Sequence, residues 1–211
     1  MYEWSKTQYI AITGMFVAII FLMTILNIGV LPLGILRPTT LHIPVIVGAL
    51  LMGPKYGAFL GFSFGLASML FATFTPGPTS FVFSPFINLP GTSGGSLWAL
   101  LVAFVPRILI GVVAWYAYAG VLKLTQKRTL SLGVAGIAGS LTNTILVLHL
   151  IYLLFGQTWN AARAEPSPVD AIYTAILWMV ATNGVPEAIV AAILVVAIVS
   201  ALSVGIRKRQ G

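Results

Sequence analysis

The stretch LHIPVIVGALLMGPKYGAFLGFSFGLASML, Leu41 to Leu70, contains one lysine and no acidic residue. It divides at the turn GPKYG (Gly53 to Gly57) into two apolar pieces, His42 to Gly53 and Gly57 to Thr73. Glycine and proline on either side of Lys55 break any continuing helix there. A helix needs about 20 apolar residues to cross the hydrocarbon core of a bilayer, and both pieces are shorter. They fit a helical hairpin inside a membrane bundle, shielded from lipid by its neighbours.

The same composition extends in both directions. Of 211 residues, 59% are hydrophobic and 7% charged, with a mean hydropathy of +1.03. A soluble domain carries about 25% charged residues, so this chain cannot cover itself with a polar surface. Longer apolar segments run from Gln8 to Asn27, Leu97 to Leu122, Leu132 to Phe155 and Ile172 to Ile206. The expectation is an all-α integral membrane protein. One domain, residues 1–211, forms a compact bundle of six transmembrane helices. The N-terminus lacks a basic region followed by a small-residue cleavage site, so the first segment is expected to be a retained span.

The net charge of +7 does not form a patch on a polar domain, which argues against nucleic acid as a partner. The basic residues sit between apolar runs, as loop charges of a bilayer protein do. With a cytoplasmic N-terminus, the inner side holds Lys6, Lys55, Lys123, Lys127, Arg128, Arg207, Lys208 and Arg209, and the outer side Arg37 and Arg163. This bias puts both termini in the cytoplasm, with an even number of spans. The inner connections are short. The outer ones, Asn27 to Leu41, Phe74 to Ser96 and Gly156 to Asp170, are long and, in the first two, rich in Pro, Gly and apolar residues. Long apolar loops on one face either cap helix ends or close over a pocket.

Chemistry-bearing groups are few. There is no cysteine, and only four acidic residues and two histidines. Zinc-protease, nucleophile-elbow and paired-carboxylate patterns are absent, so no catalytic residue, metal or bound cofactor is expected. No nucleotide-binding motif is present, and the chain is not expected to be an enzyme or to use ATP itself. GTSGGS (Gly91 to Ser96), just before a helix, reads as a flexible loop first and an anion cradle second.

Buried polar residues are more telling. In AFVPRILIGVVAW (Ala103 to Trp115), Arg107 lies mid-span, where insertion of a lone arginine costs about 2.5–3.5 kcal/mol, so a partner is expected. Glu187 is the acidic residue at comparable depth. A buried Arg107–Glu187 ion pair joining the fourth and sixth segments is one reading, and ligand binding by Arg107 the other. Asn183 shares a face with Glu187. Thr142 and His149 share a face of the fifth segment with Tyr152 close by, and Asn143 points about 100° away. Gly57, Gly61 and Gly65 recur at four-residue spacing, as do Gly14 and Ala18. Small residues so spaced let helices approach closely in lipid. For the third segment this means internal packing. For the first it means packing within the chain or a docking face for a partner.

The run from Leu41 to Leu70, the Phe-rich FVFSPF (Phe81 to Phe86), VPRILIG (Val105 to Gly111) and NGVPEAI (Asn183 to Ile189) resemble the substrate-binding S component of an energy-coupling factor (ECF) vitamin transporter. Among members the chain is similar to pantothenate-specific S components. The resemblance implies a subunit of the cell membrane of a prokaryote that captures a vitamin from outside under lid-like loops. It implies as partners a membrane T component and two cytoplasmic ATPase subunits, whose use of ATP tips the S component over to release the vitamin inside. Gly14 and Ala18 match the spacing at which the T component docks, with Gly in place of the family's first Ala. Pantothenate carries a carboxylate, an amide and two hydroxyls. His42, Asn88, Trp98, Asn143, His149 and Asn183 are then the expected hydrogen-bonding or stacking groups, with Arg107 as carboxylate partner. Another small vitamin, such as hydroxymethylpyrimidine or a pyridoxine-like compound, is an alternative substrate. A stand-alone secondary transporter or channel, with Arg107 and Glu187 as a proton relay, is the rival of another class.

Overall fold

The computed structural model describes residues 4–27, 40–161, 173–174 and 177–210, with side chains described to 158 in the fifth helix and to 203 in the sixth. Arg37, Arg163, Glu165, Asp170, the side chains of Arg207, Lys208 and Arg209, and most of the first and fifth outer loops lie outside these residues. Among the described residues the structure is all-helical.

Each boundary has a local cause. Helix α1 (Lys6–Ile25) starts at a capping box: the Ser5 hydroxyl accepts from the Gln8 amide, and the Gln8 side chain accepts from the Ser5 amide. Helices α2 (Ile43–Met52) and α3 (Pro54–Phe74) are separated by Gly53 alone. Gly53 has φ +100°, a conformation that side-chain-bearing residues rarely adopt, and Pro54 then starts α3 at the position where a missing amide is harmless. A loop with a 3-10 turn (Ser80–Val82) leads to α4 (Trp98–Thr125). Gln126, left-handed at φ +55°, ends α4, and α5 (Arg128–Ala161) begins two residues later. The last helix, α6 (Val185–Gln210), continues from a wider π-helical turn (Val180–Gly184). Pro186 lacks the amide that would bond Thr182, so the normal ladder fails there.

Five helices are long and apolar enough to cross a membrane, by length and composition; α2 is the exception at ten residues. The six expected helices are all present among the described residues, and the second is the short one. At 1.5 Å per residue α2 extends only about 15 Å, half a hydrocarbon core. The third segment is longer than expected, because Pro54 starts the helix three residues earlier than Gly57. Nine of the ten α2 residues are buried, since α2 lies among α1, α3, α4, α5 and α6. In α1 the buried side chains Thr13, Phe16, Ile20 and Thr24 form one stripe, and Ile10, Met15, Leu22 and Ile25 face outward. An apolar outer face is what lipid requires.

Small residues set the helix separations. A Cβ on Gly57 would lie 2.5 Å from the Ala49 Cβ and 3.1 Å from the Gly111 backbone. One on Gly61 would meet the backbone of Arg107 and Ile108, and one on Gly65 the Ala103 carbonyl at 2.7 Å. This glycine ladder lays α3 antiparallel against α4, backbone to backbone. Gly136 does the same between α5 and α6, where a Cβ would come 2.8 Å from Ala192 Cα. The chief neighbours of α4 are therefore α3 and α5, and α6 rests on α5 and α2.

Candidate functional site

Proline determines the geometry around Arg107. Pro106 has no amide hydrogen, so the Val102 carbonyl, four residues earlier, loses its partner in the α4 ladder. The next residue supplies one: Arg107 Nη1 donates to the Val102 oxygen at 2.8 Å. The guanidinium carbon lies 5.5 Å from the ring centre of Phe64 on α3 and 5.0 Å from that of Phe83 in the α3–α4 loop. Ring faces attract a cation, more strongly when water is excluded. Arg107 is 7% exposed, and its Nε has no hydrogen-bond partner among the described residues.

The expected Arg107–Glu187 ion pair is not formed. The Arg107 guanidinium is engaged by Val102, Phe64 and Phe83, and Glu187 accepts from the Thr144 hydroxyl of α5 at 3.2 Å. The physical reason is the packing order: α5 is a common neighbour of α4 and α6, so equal depth on those two helices does not make their side chains meet.

The α3–α4 loop folds back onto the helix ends. Phe81 and Val82 are buried in a cluster with Ala99, Val102 and Phe155, and the Phe81 and Phe155 rings meet edge to face at 6.0 Å. Ser84 and Thr73 hydroxyls lie 2.7 Å apart, tying the loop to the end of α3. GTSGGS folds back on Leu89: the Leu89 amide donates to the Gly94 carbonyl, and the Thr92 hydroxyl contacts the carbonyls of Leu89 and Gly94. It forms a closed turn, in which the Thr92 amide also donates to the Leu89 carbonyl.

A level inside the bundle can be fixed from Gly139, whose Cβ would stand 2.7 Å from Ile46 Cδ1 and 3.2 Å from Ala114 Cβ. Toward the Trp98 end from that level, His42 is one turn along α2, Asn143 one turn along α5 and Arg107 two turns along α4. His42 is 1% exposed, and neither ring nitrogen has a partner among the described residues. Asn143 Oδ1 and the buried Ser140 hydroxyl are likewise unpartnered. Gly184 meets Thr144, where a Cβ would lie 3.0 Å from its methyl group, so the π turn with half-buried Asn183 stands beside this level. Buried polar atoms without partners are expensive, and several on adjoining helices at neighbouring depths define a place for a polar ligand.

The other expected residues lie elsewhere. His149 Nδ1 pairs with the Ile145 carbonyl at 2.8 Å, and its ring meets Tyr173 edge-on at 6.0 Å, beside Tyr152. This group sits further toward the end of α5. Asn88 is exposed in the loop and Trp98 is 56% exposed at the first turn of α4, where Ala99, Val102 and Ala103 take the interior positions. Gly14 and Ala18 are exposed on α1, and a Cβ at Gly14 would meet nothing within 4 Å, so they do not pack within the chain. Phe64, Phe83, Ser140 and Thr144 were not expected at the site. Only Arg107's bond to Val102 carried a sequence signal, a proline four residues after the carbonyl it frees.

His42 supplies a test that separates binding from folding. Phenylalanine there removes two unsatisfied buried nitrogens at similar volume, so thermal stability should hold or rise while substrate affinity falls about tenfold. A His42→Phe protein with undiminished affinity would place His42 outside the site.

The chain matches the family described as ECF transporter, substrate-specific component, over residues 8–199, and it belongs to that family. Two relatives align along nearly their whole length. The pantothenic acid transporter PanT of Lactococcus lactis subsp. cremoris is 42% identical over 206 residues, 94% of this chain and 95% of the relative. The pantothenate transporter PanT of Leuconostoc mesenteroides subsp. mesenteroides is 33% identical over 214 residues, 98% and 97% of the two chains.

Proposed function

We propose that this chain captures pantothenate from outside a prokaryotic cell. In this reading the termini are cytoplasmic, and a T component with two ATPase subunits, which consume the ATP, drives release inside. The chain itself binds no cofactor. The observation that carries the substrate assignment is the similarity, over nearly the full chain, to two relatives named as pantothenate transporters. The geometry supports it. A vitamin with one carboxylate needs one available cation, and among the described residues Arg107 is engaged by a carbonyl and two rings and by no carboxylate. Its amide and hydroxyls need neutral partners, and His42, Ser140, Asn143 and Asn183 stand at neighbouring depths. A proton relay between Arg107 and Glu187 loses its basis, because the two side chains engage different partners.

Mass spectrometry of the small molecule carried by the purified protein tests the substrate. Pantothenate is the expected finding; a different vitamin in its place would overturn the assignment and leave family membership intact.

Gly14 belongs to a groove of about 560 Å³ between α1 and α3, lined also by Ile10, Val17, Tyr56 and Phe59. We assign T-component docking to this face. Gly14→Trp is expected to abolish co-purification with the T component and ATPases, while the separate chain keeps its affinity for pantothenate. Full assembly by the variant would move docking to another face.

A further inference from the structure

At the opposite end of the bundle from Trp98, a cleft of about 650 Å³ opens between α2, α4, α5 and α6. Its walls are apolar, from Leu50, Leu122, Leu132 and Val199, with the aromatic rings of Trp115 and Tyr118. Two cations stand on its lining, Lys123 at the end of α4 and Arg128 at the start of α5, and none of the lining residues is acidic. Arg128 is held in place, because its guanidinium donates to the Ser203 hydroxyl, which in turn bonds the Val199 carbonyl at 2.6 Å. Lys123 is exposed and free to swing.

We infer that this cleft binds one anionic phospholipid, its phosphate between Lys123 and Arg128 and an acyl chain along the leucine wall. The combination is specific to that ligand class. An oriented guanidinium beside a mobile ammonium recognises a phosphate. Apolar walls running from those cations toward the membrane interior suit a hydrocarbon chain and offer nothing to a free, fully hydrated anion. Trp115 and Tyr118 supply the amphipathic rings that favour the headgroup level. The volume lies within the range of ordinary ligand sites. Basic pockets between membrane helices hold anionic headgroups in this way. The site is separate from the vitamin site, which lies toward the Trp98 end.

The test is native mass spectrometry of the full chain after extraction from nanodiscs of mixed phosphatidylglycerol and phosphatidylcholine. One phosphatidylglycerol should remain bound. The Lys123→Gln, Arg128→Gln double variant should lose it with affinity lowered about 30-fold, from the loss of two phosphate-facing charges. Because Arg128 also supports α6, Ala119→Trp gives a second route: it fills the cleft, keeps both cations and should displace the lipid as well. Lys6→Gln with Lys55→Gln, which removes charge at the same end outside the cleft, should change nothing. Equal retention of phosphatidylcholine, displacement by inorganic phosphate, or lipid retained in both cleft variants would overturn the inference.

Discussion

Arg107→Ala is expected to lower pantothenate affinity about 100-fold, the upper end of what a hydrogen bond to a charged group contributes. Alanine removes a cation that faces no carboxylate among the described residues. It also reopens the Val102 carbonyl that Pro106 leaves without a helix partner, so some thermal destabilisation accompanies the loss. Arg107→Lys separates the two effects. A lysine keeps the charge but is a single point donor, and it cannot serve Val102 and a carboxylate together as a planar guanidinium can, so intermediate affinity is expected. Glu187→Gln should keep wild-type affinity, since Glu187 accepts from Thr144 while Arg107 is engaged by Val102, Phe64 and Phe83. Isothermal titration with pantothenate is the measurement. Arg107→Ala binding within about twofold of wild type would remove this residue from the site, because a lost charged hydrogen bond costs more than that.

Gly61→Val is expected to have the largest effect on folding. A Cβ at position 61 would already fall on the Arg107 carbonyl and within 2.8 Å of Ile108 Cα. The obstacle is backbone, which cannot move aside as a side-chain tip can. The α3–α4 pair would have to separate, at a cost of at least about 3 kcal/mol, the upper end for overpacked sites. Because Arg107 is on the displaced backbone, substrate binding should fall with stability. Gly120→Val is the control, since a Cβ there meets nothing within 4 Å and the residue is exposed. Thermal melts in detergent decide: equal midpoints for the two variants would contradict the close α3–α4 approach.

Much of this was legible in the chain. The near absence of charge put most of the protein in lipid, and the GPKYG stretch (Gly53 to Gly57) marked a hairpin. Proline and glycine positions foretold several boundaries, because their effect on the backbone is local. Arg107 stood out for the same reason, as one charge among apolar neighbours. The family resemblance rested on motifs of this local kind and held.

What failed was inference across helices. Matching depth suggested an Arg107–Glu187 pair, but depth measures distance along a helix and carries no information on which helix lies alongside. Asn88 and Trp98 were expected to offer groups to a ligand, and where a side chain points in a turn or a first helical turn depends on how the loop closes. That closure rests on contacts such as Ser84 with Thr73. The shortness of α2 was legible, and its shielding held: nine of its ten residues are buried among five neighbouring helices.

By itself, then, the sequence determined the solvent, the helices and the family, because hydropathy, proline and glycine act over a few residues. The tertiary structure alone decided that α5 is the shared neighbour of α4 and α6, that Phe64 and Phe83 flank Arg107, and that His42, Asn143 and Arg107 lie toward the same end of the bundle. Those are outcomes of side-chain fit between distant segments, and in lipid that fit is set by where backbones can touch, here along Gly57, Gly61 and Gly65.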